Sequence, residues 1–90
     1  MTSQHGDPAA MRTHAAALRQ SAERLTALDD RVDRRVDALV FEGPAASRLR
    51  AAQTDRSART RRAAQQLHDL ADRVEARAAQ VDRDGAGTNR

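Results

Sequence analysis

Apolar side chains recur along this chain in steps of four and three. From Met11 the positions Met11, Ala15, Leu18, Ala22, Leu25, Asp29, Val32, Val36 and Leu39 follow that rule without a slip, and only Asp29 is polar. Beyond a break at Glu42 and Gly43 the rule resumes through Ala46, Leu49, Gln53, Arg56, Thr60, Ala63, Leu67, Leu70, Val74 and Val81, with the intervening slot at Arg77 or Ala78. Such spacing averages 3.5 residues and keeps one stripe of a helix against a neighbouring helix. The pattern predicts an all-α chain of two helices lying along each other.

The boundaries follow from capping chemistry. Asp7 is a natural N-cap, and Pro8 occupies the first helical position, where its missing N–H costs nothing. Gly43 tolerates backbone angles other residues resist, and Pro44 sets the first turn of a second helix. The expected layout is a flexible N-terminus over 1–7, a first helix over 8–41, a turn at 42–43, a second helix over 44–83 and a disordered glycine-rich tail over 84–90. Phe41, the single aromatic residue, falls at the closed end, where its ring plugs the gap between diverging axes.

A straight antiparallel hairpin pairs seam residues whose position numbers have a constant sum, here near 85. That sum sets Leu39 against Ala46, Val36 against Leu49, Leu18 against Leu67, Ala15 against Leu70 and Met11 against Val74. It also sets Asp29 against Arg56, the two charges that interrupt the seams, which reads as a register-setting ion pair. Such a pair adds little net stability but penalises slipped alignments.

One seam encloses little core, so a lone hairpin needs company. Ala10, Ala17 and Leu28 on the first helix, and Ala45, Ala52, Ala64, Ala71 and Ala78 on the second, lie off the main seam, mostly seven apart. They form a second, shallower stripe suited to a dimer in which two hairpins make a four-helix bundle.

Composition narrows the function. Ninety residues make one small domain. There is no Cys, and His5, His14 and His68 are scattered, which argues against a metal site. The opening stretch lacks the apolar run of a conventional signal peptide, and no segment has the length of a membrane span. Asp29, Asp30, Asp33 and Asp37 crowd half of the first helix, but Arg31, Arg34 and Arg35 interleave them as on a salt-bridged surface. No Ser, His and acid fall at a recognised spacing and no glycine loop cradles phosphate, so neither an enzyme nor a cofactor or small-molecule substrate is expected.

The formal net charge is +3, and Arg48, Arg50, Arg56, Arg59, Arg61 and Arg62 stand against one acid, Asp55, between positions 48 and 62. That run raises the alternative of a cytoplasmic helical interaction protein or a nucleic-acid-binding protein using the second helix. Against nucleic acid, the arginines point around the helix, and there is no aromatic to stack on bases.

The central stretch "FEGPAASRLR", flanked by two amphipathic helices, resembles the Trp-x-Gly motif of the small helical-hairpin proteins of type VII secretion systems, the early secreted antigen type. The match runs through Phe41, Glu42, Gly43, Pro44 and Ala45, with Phe in place of Trp. The Ala- and Arg-rich, Lys-free usage likewise resembles actinobacterial coding. The resemblance implies a secretion substrate or partner that pairs with another helical hairpin, as a hetero- or homodimer, and presents its turn to the export machinery, a type VII secretion ATPase included. It implies a cytoplasmic protein that is then exported to the cell surface or medium. Family members carrying the export signal have a Tyr four residues before an acid after the second helix, and this chain has no Tyr, so by analogy it is the unsignalled member of a heterodimer or a hairpin that has lost export.

Overall fold

A computed structural model describes residues 7–39 and 42–88. Two helices account for it: α1, Pro8–Asp37, and α2, Pro44–Thr88, packed as a hairpin into a rod 72 Å long and 16 Å across. At about 1.5 Å per residue the 45 residues of α2 span most of that length.

Local chemistry starts and stops α1. Asp7 is extended, and its Oδ1 accepts the Ala9 N–H at 3.0 Å while Pro8 takes the first turn. Arg34 and Arg35 sit in the last turn, where cations favour the carbonyl end of the helix. The helix then tightens, with the Ala38 N–H donating to the Arg34 carbonyl and the Leu39 N–H to the Val36 carbonyl. It stops at Asp37 and not at 41, and the turn is correspondingly longer than the two residues 42–43. The described residues 38, 39, 42 and 43 lie outside both helices, and the chain must cross the roughly 8–10 Å between two packed axes before reversing. Phe41 lies outside the described residues.

Gly43 has φ +79°, the left-handed region, and its carbonyl accepts the N–H groups of Ala46 and Ser47 at 3.1 and 3.3 Å, opening α2. No atom lies within 4 Å of a Cβ added there, so replacement meets no clash, only the cost of the backbone angle. Gly43→Ala is therefore expected to destabilise by about 1–2 kcal/mol, read as a lower thermal midpoint with unchanged helicity at low temperature. An unchanged midpoint would show that the turn does not depend on that angle.

α2 continues to Thr88, through Gly85 and Gly87, and so takes in most of the segment expected to be a disordered tail. Glycine inside a helix costs about 1 kcal/mol relative to Ala but does not break it, as a proline would. Arg12 bonds Asp82 across the hairpin only three residues earlier.

Of the expected seam only its small residues Ala15, Ala22 and Ala46 are buried, joined by Ala64, Ala71 and Ala78 from outside it. Among the described residues the buried ones are all alanines: Ala15 and Ala22 on α1, and Ala46, Ala64, Ala71 and Ala78 on α2. Met11, Leu18, Leu25, Val36, Leu49, Leu67 and Val74 are only half-buried, and Val32, Leu39 and Leu70 stand exposed. Ala64, Ala71 and Ala78 thus belong inside the hairpin, not to an outer stripe, whereas Leu28, Ala17, Ala45 and Ala52 are exposed. The reason is steric. A methyl group can be covered completely between two close backbones, while a longer side chain at the same depth must flare to one side.

The alignment differs too. Partner numbers sum to 85 for Asp29 and Arg56, but to 91 for Arg19 and Asp72 and to 94 for Arg12 and Asp82. A single sum of 85 therefore does not describe the open end. Arginine side chains are long and helical side chains lean toward the N-terminus, so these pairs reach past the residue directly opposite.

Candidate functional site

The two flanks of the hairpin differ in chemistry, although Asp29, Arg56, Asp37 and Gln53 of the polar cluster also line grooves on the apolar side. On one, α1 places Asp29, Asp33 and Asp37 four residues apart, hence on one face, and α2 brings Gln53, Arg56 and Ser57 to them. Arg56 Nε donates to Asp29 Oδ1 at 2.8 Å, and its Nη2 pairs with Asp33 Oδ1. Ser57 Oγ donates to Asp29 Oδ2 at 2.8 Å and to Asp33 Oδ2 at 3.3 Å. Gln53 Nε2 bridges Asp33 and Asp37 at 3.3 and 3.2 Å. Toward the open end Arg19 Nη2 donates to both Asp72 and Glu75, at 2.6 and 2.8 Å, and Arg12 pairs with Asp82.

Asp29 is the most enclosed member, its side chain 10% exposed. Hydrogen bonds from Arg56 and then Ser57, with the Arg56 charge, hold its carboxyl below the usual carboxylate range against the opposing effect of burial. The contribution is present above the unfolded value of about 3.9 and is lost as pH falls through the lower folded value. Thermal midpoints should therefore fall as acid is added below about pH 4, and Asp29→Asn should flatten part of that dependence. Identical acid profiles for the two proteins would remove Asp29 from the account. Asp29, Asp30 and Asp33 also bring carboxylate oxygens within 4.8 Å of one another, but the Arg56 guanidinium already supplies the positive charge there.

Counting from the turn singles out Asp29 and Arg56 alone. It misses Asp33, Ser57 and the two bonds of Gln53, although the four-residue spacing of Asp29, Asp33 and Asp37 carries the signal.

The other flank is apolar. Leu25, Leu28, Asp29 and Val32 of α1 line a shallow groove closed by Thr60 and Arg56 of α2, so the Asp29–Arg56 pair borders this side as well. Leu67 and Leu70, with Ala63, Gln66 and Arg73, line another along α2. A third lies near the turn, among Val36, Leu39, Ala46 and Leu49, with Asp37, Arg50 and Gln53 at its polar side. Exposure reaches 53% for Leu28, 57% for Leu39 and 40% for Val32 and Leu70, which makes this the large uncovered apolar surface among the described residues.

Of the turn residues, Gly43 caps α2 through its carbonyl, Pro44 is its first residue and Ala45 is exposed beside it. No described helix is long and apolar enough to cross a membrane. A scan against protein-family models, and searches of curated proteins and of solved structures, found no match to this chain.

Proposed function

We propose that this chain is a non-enzymatic partner protein that pairs, through its apolar flank, with another helical hairpin to form a four-helix bundle, and that the pair is handled by a type VII secretion system. The observation that carries the pairing is the row of exposed large side chains, Leu28, Val32, Leu39 and Leu70, beside a core that among the described residues is made of alanine. Water contact at such a row is relieved when a second apolar face covers it. The secretion role rests on the resemblance of Phe41 to Ala45 to the Trp-x-Gly turn. In that reading no cofactor or small molecule is bound, and the secretion ATPase meets the paired bundle.

Two measurements separate the parts. Sedimentation of the chain with any helical-hairpin protein encoded beside it should give a 1:1 complex, and Leu28→Asp with Leu70→Asp should abolish it while circular dichroism stays helical. In the producing cell, the pair should appear outside only when the ATPase is intact, and Phe41→Leu should retain pairing but lose export. Retained export would reduce Phe41 to a packing residue. Absent export of the unmutated pair, with salt-sensitive binding to duplex DNA, would transfer the case to the arginine-rich helix and a nucleic-acid role.

A further inference from the structure

The charges at the helix-neighbour positions of Leu28 and Leu70 all have one sign, although Asp29 and Asp37 also line grooves of this flank. The positions three, four and seven residues from Leu28 on α1 are Ser21, Arg24, Leu25, Arg31, Val32 and Arg35, with three arginines and no acid. The corresponding positions around Leu70 on α2 are Ala63, Gln66, Leu67, Arg73, Val74 and Arg77, again without an acid, and Arg59 precedes Ala63 by one turn. Residues at these steps are neighbours on a helix surface. None of Arg24, Arg31, Arg35, Arg59, Arg73 and Arg77 forms an ion pair among the described residues. The cross-helix acids are already paired: Asp29, Asp33, Asp72, Glu75 and Asp82 hold Arg56, Arg19 and Arg12. Asp55 and Asp69 stand four residues before Arg59 and Arg73, one step farther round α2 from the face.

We infer that the apolar flank is built to receive an acidic amphipathic helical partner, with glutamates or aspartates bordering its own apolar stripe, and not a second copy of this chain. The inference rests on the pairing reading above and adds to it the chemistry of the partner. A second copy would set arginine borders against arginine borders along both edges, and like charges brought together at an interface are penalised. An acidic partner turns the same borders into pairs that steer encounter and fix alignment. The rod is 72 Å long and 16 Å wide, so a partner covering most of one flank would bury about 800 Å² per side, the size of a standard specific interface. Duplex DNA satisfies the arginines but sets phosphates against Leu28 and Leu70. The described part of the face also carries no aromatic anchor of the kind membrane-surface helices use.

The probe is a charge-reversed copy of the full chain: Arg24→Glu, Arg31→Glu, Arg35→Glu, Arg59→Glu, Arg73→Glu and Arg77→Glu. A companion copy with Gln at the same six positions, checked for helicity alongside it, separates charge attraction from relief of repulsion. Association is followed by sedimentation. The unmodified chain should bind the reversed copy at least about tenfold more tightly than it binds itself or the Gln copy, and the advantage should shrink with added salt. Leu28→Asp with Leu70→Asp in the unmodified chain should remove the complex. Self-association as tight as the mixed complex, and lost in the Leu28 and Leu70 variant, would overturn the acidic-partner inference while leaving hairpin pairing intact. No association in any mixture of folded proteins would overturn both. Tighter binding to phosphatidylserine vesicles or to duplex DNA than to the reversed copy would assign the face to an anionic surface and overturn the inference.

Discussion

Enlarging an alanine at the centre of this hairpin is expected to destabilise it more than deleting a leucine from its surface. Ala22 is fully buried, and Ala22→Leu forces three extra carbons into the seam between α1 and α2. Overpacking of this kind costs about 1–3 kcal/mol, or roughly 4–8 °C in midpoint for each kcal/mol in a domain this small. Leu28→Ala, at a residue already 53% exposed, should change the lone chain by no more than about 0.5 kcal/mol. Urea and thermal melts of the two variants at low protein concentration decide the matter. A stabilising Ala22→Leu, or a Leu28→Ala loss of the size seen for buried leucines, would place the seam on the leucines instead.

The second large effect appears when the apolar flank is covered. A partner that binds only the folded hairpin stabilises it by about 2.7 kcal/mol at one hundred times its dissociation constant. The charge-reversed copy at that concentration should therefore raise the midpoint by roughly 10–20 °C. The unmodified chain diluted or concentrated by itself should show little change. Leu28→Asp should erase the gain while leaving the melt of the isolated chain nearly where it was, because that side chain already faces water. A mixed-sample midpoint equal to that of the separate proteins, at concentrations where sedimentation reports a complex, would show that binding does not depend on the folded flank.

These expectations reverse the usual reading of hydrophobic residues because the two stripes share the work unevenly. On α1, Ala15 and Ala22 lie within one step of Leu18 and Leu25, so a four-three pattern runs through both sets at once. The same holds on α2 for Ala64 and Ala71 against Leu67 and Leu70. Two adjoining stripes of a helix cannot both be central. The sequence reading places Ala15 and Ala22 on one seam with Leu18 and Leu25, and close approach buries only the alanines fully in the folded hairpin. The leucines are thereby displaced to one edge, which turns expected core into the candidate docking face.

The polar flank was legible only in part for a similar reason. Asp29 and Arg56 stand out because they interrupt apolar runs, a one-dimensional signal. Asp33, Ser57 and Gln53 look like ordinary surface residues until α2 is laid beside α1, and the bonds of Arg12 and Arg19 join residues more than fifty positions apart. A long side chain can reach one turn either way along the facing helix, so spacing alone does not select its partner.

What the sequence determined by itself was local: two long helices from Ala- and Arg-rich periodic segments, a start at Asp7 and Pro8, and a reversal at Gly43 and Pro44. Each of these depends on a few neighbouring residues, their propensities and caps, and so is written in short stretches of chain. Tertiary structure decided which stripe is buried, how the open end is aligned and where the free arginines border exposed leucines. Those outcomes depend on the distance between two axes, and periodicity records which residues share a face without recording how closely another helix can come to it.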